Sequence, residues 1–156
     1  MEWIVLRPVS AEENMKIESL MTTKVATVGM DETLQALNDI FLKANFHHLL
    51  VVENHALRGV ISDRDVLRMT SPFLNTPSEQ ARDVAVLKRK AHQIMTREVI
   101  TISKDENVES AVELMLGKKI SCLPVVEKFG KIEGIVTLKD LVKSLMKELK
   151  NHKPDY

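Results

Sequence analysis

The chain repeats itself, and this repeat constrains its fold more than any other feature of the sequence. The segment Met-Thr-Thr-Lys-Val-Ala-Thr-Val from Met21 returns 74 positions later, from Met95, as Met-Thr-Arg-Glu-Val-Ile-Thr-Ile. The segment Gly-Val-Ile-Ser-Asp-Arg-Asp from Gly59 returns 75 positions later, from Gly134, as Gly-Ile-Val-Thr-Leu-Lys-Asp. The second copy therefore has one extra residue, which we place near 129–130. A repeat that keeps apolar runs and polar spacing predicts two similar folding units with two similar polar sites.

The composition is that of a globular protein and narrows the classes of function. Of 156 residues, 44% are hydrophobic and 28% are charged, which is enough apolar material for a core. Lys plus Arg and Asp plus Glu number 22 each, so no net charge attracts nucleic acid or an anionic membrane. The N-terminal apolar run, Trp3 to Leu6, is too short for a secretion signal or a membrane span. We predict a cytoplasmic protein that binds neither nucleic acid nor membrane, and a single cysteine, Cys122, fits a reducing compartment.

Each copy carries the same order of signals, which is strand, helix, strand, strand, helix. Apolar stretches of strand length alternate with segments whose apolar residues recur at helical spacing. In the first copy the signals predict strands at 25–28, 49–52 and 59–62, and helices at 31–44, capped by Asp31, and 63–69. In the second copy they predict strands at 99–102, 123–126 and 134–137, and helices at 105–116, ended by Gly117, and 138–150.

The segment between the copies is too long for a bare connection. Thr76 to Glu79 has the spacing of a capping box with proline at the first helical position, and apolar residues follow at helical spacing. We predict a linker helix whose last turn carries Lys88 to Lys90. The predicted division is an N-terminal segment 1–17, a first repeat 18–71, a linker 72–94, a second repeat 95–150 and a tail 151–156.

One copy is too small to bury strands on both faces, because a piece of about 50 residues hides too little of its surface. We therefore expect the copies to pack on each other. The result is an α/β (α+β) module with pseudo-twofold symmetry and two equivalent clefts where the copies meet.

The motifs resemble those of CBS domains, two of which in tandem form a Bateman module. The resemblance rests on the Met-Thr opening of each copy, on Leu-Pro-Val-Val at 123–126 and on Gly-x-x-(Ser/Thr)-x-(Arg/Lys)-Asp in both copies, and it covers residues 18–150. It implies two β-α-β-β-α repeats that bind AMP, ADP, ATP or S-adenosylmethionine between them. It also implies a regulatory protein that is not an enzyme, forms a homodimer and controls an effector protein of unknown identity.

The duplicated hydroxyl and carboxylate pairs, Ser62 with Asp65 and Thr137 with Asp140, are candidate binding groups. A carboxylate can accept both hydroxyls of a ribose, and a hydroxyl beside a helix N-terminus can help to hold a phosphate. The same spacing is also a capping box, which needs no ligand. The two interpretations are compatible, since one geometry can serve both.

Four basic side chains border these pairs. Arg64 and Lys139 can supply positive charge to a phosphate or can be solvated helix positions. His47 and His48 open the second strand of copy one and align with Ser121 and its neighbour in copy two. Adjacent strand residues point to opposite faces, which argues against a shared metal, and we predict no metal site. The histidines are either structural or, as the resemblance implies, reach ligand phosphates.

By the same resemblance the clefts are built crosswise, with backbone groups of the opening strands against the adenine. The first cleft would combine Thr137, Lys139 and Asp140 with Thr22, Val25, Thr27, His47 and His48. The second would combine Ser62, Arg64 and Asp65 with Thr96, Val99, Thr101, Ser121 and Pro124. Copy one has Leu50 where copy two has Pro124, and this departure leaves open whether both clefts are occupied.

Two functions are compatible with the sequence, and neither is catalytic. Motifs of hydrolases, P-loop enzymes and zinc proteases are missing from the sequence. The first hypothesis is a stand-alone sensor of adenosine ligands, which the retention of both Asp65 and Asp140 favours. The alternative is a structural or dimerisation module with vestigial clefts, which Leu50 and the lack of an attached effector domain favour.

Overall fold

The computed structural model of the chain describes residues 15–151. After a 3-10 turn at Ile17–Ser19, the first repeat contains β1 (Thr27–Gly29), α1 (Leu34–Lys43), β2 (His48–Glu53), β3 (Ala56–Ser62) and α2 (Asp63–Met69). The connecting segment contains α3 (Ala81–Val86) and α4 (Ala91–Ile94), and the second repeat contains α5 (Val108–Lys118), β4 (Cys122–Val126), β5 (Ile132–Thr137) and α6 (Leu138–Asn151). The apolar run at 3–6 and the tail from 152 onward lie outside the described residues. Within the described part of the chain, every helix is too short or too polar to cross a membrane.

Each repeat is built on an antiparallel hairpin whose first strand is buried on both faces. Residues 49–51 of β2 and 123–125 of β4 are all buried, as the continuous apolar runs predict. Both hairpins have a bulge at the same place, after Val51 and after Val125. The two turns differ in length. The first consists of Asn54 and His55, both at positive φ, whereas the second consists of three residues and ends with Gly130. The extra residue predicted near 129–130 is confirmed.

The strand predicted at 99–102 does not form, and Pro124 gives the reason. In the first repeat β1 pairs parallel with β2, and the N–H of Leu50 donates to the carbonyl of Ala26 at 3.1 Å. Pro124 stands at the position of Leu50 and has no N–H, so the matching bond to Ile100 is impossible. The second repeat keeps a single parallel bridge, between Ile102 and Val125.

Two helix termini differ from the prediction. Thr33, not Asp31, caps α1, and its hydroxyl accepts the N–H of Ala36 at 3.2 Å. The helix predicted at 105–116 begins at Val108, because the preceding residues form a turn. It continues through Gly117 and ends where Lys119 takes the left-handed conformation, at φ 55°. Lys119 therefore ends the helix, a role that the sequence predicted for Gly117.

The linker helix starts later than predicted and ends before its basic residues. The Glu79 carboxylate accepts the N–H of Asn75, not that of Thr76, so the expected capping box does not form. The helix α3 begins at Ala81, after the Asp83 carboxylate has accepted the N–H of Gln80 at 2.8 Å. Residues 88–90 follow α3 and meet the start of α1, where the N–H of Leu34 donates to the carbonyl of Arg89 at 2.7 Å.

The repeats are joined by crossed backbone pairing. Thr22, at the start of the first repeat, bridges Ile135 in β5, and Thr96, at the start of the second, bridges Val60 in β3. A small apolar cluster of Leu50, Cys122 and Ile135 lies between the main cores of the two repeats. The expected packing of two similar repeats into one α+β module is confirmed, with the second repeat lacking its first strand.

The crossed pairing requires glycine at two equivalent positions. A Cβ on Gly59 would clash with the Met95 side chain. A Cβ on Gly134 would lie 2.9 Å from both the Met21 sulfur and the Thr22 carbonyl oxygen. The methionine can move, but the Thr22 carbonyl is held by its bond to Ile135.

We predict that Gly134→Ala lowers the free energy of unfolding by about 1–3 kcal/mol, since overpacking must displace the Thr22 backbone. The control is Gly117→Ala in α5, where an added Cβ meets no atom within 4 Å. That change should raise the free energy of unfolding by about 0.5–1 kcal/mol, because alanine is the better helix former. Urea denaturation measures both values. A Gly134→Ala protein as stable as the parent would contradict the crossed packing.

Candidate functional site

The two hydroxyl and carboxylate pairs have the same geometry. In the first repeat Asp65 Oδ2 accepts the N–H of Ser62 at 2.8 Å and its hydroxyl at 2.6 Å. In the second, Asp140 Oδ2 accepts the N–H of Thr137 at 2.9 Å and its hydroxyl at 2.7 Å. The hydroxyls in turn accept the N–H of Asp65 at 3.2 Å and of Asp140 at 3.4 Å. Both pairs therefore cap the helices α2 and α6.

Capping occupies one oxygen of each carboxylate. Every hydrogen bond that Asp65 and Asp140 accept from the described residues ends on Oδ2. Their Oδ1 atoms remain acceptors with two lone pairs, which is what binding to ribose hydroxyls requires. The carboxylates lie half-buried at the edge of a cleft, so a ligand can reach them without disturbing the caps.

The Asp140 cleft is a cavity of about 690 Å³ formed by both repeats. Thr22, Lys24, Val25 and Ala26, at the start of the first repeat, line one side of it. Residues 137–140 of β5 and α6 line the other. The predicted residues that line it are Thr22, Val25, His47, His48, Arg64, Ser121, Thr137, Lys139 and Asp140. Lys24 and Lys143 also line it, and neither was predicted from the sequence.

The Asp65 cleft is smaller, about 480 Å³, and has the reciprocal construction. The predicted residues that line it are His48, Ser62, Arg64, Asp65, Thr96, Val99, Ser121 and Pro124. Arg68, Glu98 and Lys119 were missed. Arg68 follows Asp65 by three positions, as Lys143 follows Asp140, so the repeated spacing carried a signal for both residues.

Two predicted residues lie outside the lining of both clefts. Thr27 is exposed on β1, one step beyond the Val25 and Ala26 stretch that borders the Asp140 cleft. Thr101 borders a separate depression, with Lys104 and Glu133, because the chain has already left the Asp65 cleft after Ile100. The structure does not bring either threonine to the paired carboxylates.

The two histidines have different partners. His47 is exposed, and its Nδ1 lies 2.7 Å from an Asp63 carboxylate oxygen. Burial alone would raise the pKa of Asp63, but the hydrogen bonds from His47 and from the N–H of Arg64 lower it below its ordinary value. His48 is half-buried, and its Nε2 lies 3.1 Å from the hydroxyl of Ser121 in the other repeat. Burial lowers the pKa of His48 below 6.5; the Asp63 carboxylate opposes this shift, and the positive charge of Arg64 adds to it.

Burial also raises the pKa of the Cys122 thiol, to about 11. The thiol is therefore protonated near neutral pH, which fits an unreactive core residue. Among residues 15–151, His, Cys, Asp and Glu side chains do not gather in a group able to hold a metal ion.

Comparison with known proteins identifies the family. Residues 17–71 and 91–147 each match the sequence profile of the CBS domain. The chain belongs to the CBS domain family. A CBS domain-containing protein of Dictyostelium discoideum is 35% identical over 139 residues, which cover 85% of this chain and 92% of the relative. Other relatives are longer: the chain spans 24% of a homoserine O-acetyltransferase of Methanococcus vannielii, with 28% identity.

Solved structures show the same fold. The CBS pair of protein MJ0100, crystallised with 5′-methylthioadenosine and S-adenosyl-L-methionine, has 25% identity and a TM-score of 0.73, covering 87% of this chain and 99% of its own. The cytosolic domain of the Mg²⁺ channel MgtE, crystallised with ATP, has 26% identity and a TM-score of 0.65, covering 85% of this chain and 49% of its own.

The lowered pKa of His48 predicts a pH-dependent stability. As the pH falls below about 6.5, His48 takes up a proton in the unfolded chain before it does so in the folded CBS pair. The free energy of unfolding therefore decreases. The free energy of unfolding of the parent should therefore fall more steeply between about pH 7.5 and pH 5 than that of His48→Gln.

Denaturation curves at each pH measure the difference. His55→Asn, at the exposed β2–β3 turn, is the control and should follow the parent. Parallel curves for the parent and His48→Gln would show that the environment of His48 does not favour its neutral form.

Proposed function

We propose that this CBS pair is a regulatory module that binds an adenosine-containing ligand, AMP, ADP, ATP or S-adenosylmethionine, in the clefts between its repeats. The observation that carries the proposal is that the two oxygens of each carboxylate, in Asp65 and in Asp140, have different roles. One oxygen of each carboxylate caps a helix, the other accepts no hydrogen bond from the described residues, and both aspartates line a cleft. The adenosine ligands in the structures of the MJ0100 pair and the MgtE domain support the same assignment.

The surroundings of each carboxylate suit the parts of a nucleotide. Each Oδ1 would accept the ribose hydroxyls, as carboxylates commonly do. Cations would hold a phosphate: Lys139 and Lys143 in the Asp140 cleft, and Arg68 in the Asp65 cleft. The half-buried Val25 and Val99, at the start of each repeat, would offer apolar surface to the adenine.

The excess of cations favours a phosphorylated ligand in the larger cleft. Lys24, Arg64, Lys139 and Lys143 line the Asp140 cleft, against the carboxylates of Asp63 and Asp140. Asp63 is already engaged by His47. A nucleotide with two or three phosphates therefore fits this cleft better than the cationic S-adenosylmethionine.

The second part of the proposal is that the module signals through protein contacts. Apolar side chains project from helices on the outside of the protomer, with Leu42 of α1 at 76%, Leu67 of α2 at 74% and Leu116 of α5 at 70% exposed. We assign this surface to a homodimer, and we infer that ligand occupancy is transmitted to a separate effector protein. A cytoplasmic location and the lack of catalysis remain part of the proposal.

Ligand binding is tested by thermal shift with AMP, ADP, ATP, S-adenosylmethionine and adenosine. A ligand at a hundred times its dissociation constant adds about 2.7 kcal/mol, which should raise the melting temperature by roughly 5–10 °C. Asp65→Asn and Asp140→Asn each keep one oxygen for the cap but replace the other with an N–H₂ donor. Each variant should therefore keep its ligand-free melting temperature within a few degrees and lose one of two binding events in calorimetry.

Asp105→Asn, exposed and outside both clefts, is the matched control and should bind as the parent does. If none of the five compounds moves the melting temperature at millimolar concentration, the alternative applies. The clefts would then be vestigial, and the exposed apolar helices would make the protein a structural or dimerisation module.

Dimerisation is tested by sedimentation at tens of micromolar protein. The parent should sediment as a dimer, and Leu42→Glu or Leu116→Glu should convert it to a monomer, because each places a charge in the apolar contact. Phe129, 91% exposed at the β4–β5 turn, supplies the control: Phe129→Glu should remain a dimer. A monomeric parent would remove the homodimer from the proposal.

A further inference from the structure

The two clefts are not separate sites, because three side chains line both of them. These are His48, Arg64 and Ser121. The bond between His48 Nε2 and the Ser121 hydroxyl, 3.1 Å long, ties the two repeats together at this boundary. Each of the other cations lines one cleft only, and we call these residues private cations. Arg68 and Lys119 line the Asp65 cleft, and Lys24, Lys139 and Lys143 line the Asp140 cleft.

Arg64 is the permanent positive charge at this boundary. It is exposed on the first turn of α2, and its side chain makes no ion pair with any acidic residue of the described chain. Its backbone is fixed by the bond from its N–H to Asp63 at 2.7 Å, while its long side chain stays unpaired. The guanidinium is therefore available to an anion in either cleft.

A guanidinium serves one phosphate well and two poorly. It carries a single positive charge, which a phosphate in one cleft neutralises when the guanidinium binds it through two parallel N–H bonds. Once an anionic ligand in one cleft has taken Arg64, the other cleft retains its private cations alone.

We propose that Arg64 is a shared anion-binding residue that makes the two clefts antagonistic toward phosphorylated ligands. Binding of a nucleotide in one cleft lowers the affinity of the other for a second nucleotide, whereas an uncharged nucleoside fills both clefts independently. The proposal rests on the proposed function, since it concerns the same clefts. It assigns to Arg64 a choice between ligand combinations: one nucleotide with one nucleoside is favoured over two nucleotides.

Calorimetry with AMP and with adenosine tests this coupling. Asp65→Asn isolates the Asp140 cleft and Asp140→Asn isolates the Asp65 cleft, so the two variants give the intrinsic affinities. In the parent, the second AMP should bind at least about fivefold more weakly than the intrinsic value of the cleft that it fills. Adenosine should show no such penalty.

Arg64→Gln, introduced into each single-cleft variant, should weaken AMP binding about tenfold in both, as expected for the loss of a charge-assisted contact. The matched controls are the private cations: Arg68→Gln should weaken only the Asp65 cleft, and Lys139→Gln only the Asp140 cleft. In the protein with both aspartates intact, Arg64→Gln should abolish the antagonism. The second AMP should then bind as tightly as AMP binds to the single-cleft variants that carry the same substitution.

Several outcomes would overturn the proposal. Equal parent and intrinsic affinities for AMP would exclude antagonism, and an effect of Arg64→Gln on one cleft alone would exclude sharing. Antagonism that persists in Arg64→Gln would assign it to repulsion between the phosphates. Failure of the parent to bind any adenosine compound would remove the proposed function itself, whereas independent binding in both clefts would leave that function intact and remove only the coupling.

Discussion

The module depends on two pairs of backbone hydrogen bonds that cross between its repeats. Thr22 and Ile135 exchange N–H to carbonyl bonds of 2.9 Å, and Val60 and Thr96 do the same at 3.1 and 2.9 Å. These bonds lay the opening segment of each repeat on the hairpin of the other. Each cleft is composite for this reason, with its carboxylate from one repeat and its opposite wall from the other. A single repeat would hold half of each site, so the binding geometry and the packing of the module form together.

The pseudo-symmetry is broken at one position of the hairpin, with consequences for both fold and clefts. Leu50 has an N–H and binds the carbonyl of Ala26, whereas Pro124 has none, and the carbonyl of Ile100 receives no hydrogen bond from the described residues. The proline therefore costs the second repeat a strand and leaves an acceptor beside the Asp65 cleft, which Ile100 lines. In the sequence, Leu50 stands out as the departure from the pattern. In the structure, Pro124 has the larger local effect.

The parts of the fold that the sequence predicted are those in which one local signal dominates. Continuous apolar runs located both hairpins, and the Ser/Thr-x-x-Asp spacing located the starts of α2 and α6 at Asp63 and Leu138. Where several polar residues could form a cap, the local hydrogen bonds differ from the predicted ones. Thr33 caps α1 in place of Asp31. The capping box predicted at Thr76 to Glu79 does not form, because Glu79 accepts the N–H of Asn75 in a turn. Arg68 and Lys143 share a repeated spacing, three positions after each carboxylate, but the role of a charge on an exposed helix face becomes clear only when the opposite wall of the cleft is known.

The helices α2 and α6 connect the proposed ligand sites to exposed apolar side chains. The helix α6 starts at the Asp140 cleft, which Leu138 lines, and it presents Val142 and Leu145, each more than half exposed, along its outer surface. The helix α2 starts at Asp65 and presents Leu67. Since a helix moves as a rigid element, a ligand that pulls on the free oxygen of either carboxylate acts on a residue that already caps the helix. In the proposed function, the two capping boxes link occupancy of the clefts to the position of these apolar side chains, so a residue pair with a structural role would also be the origin of the signal.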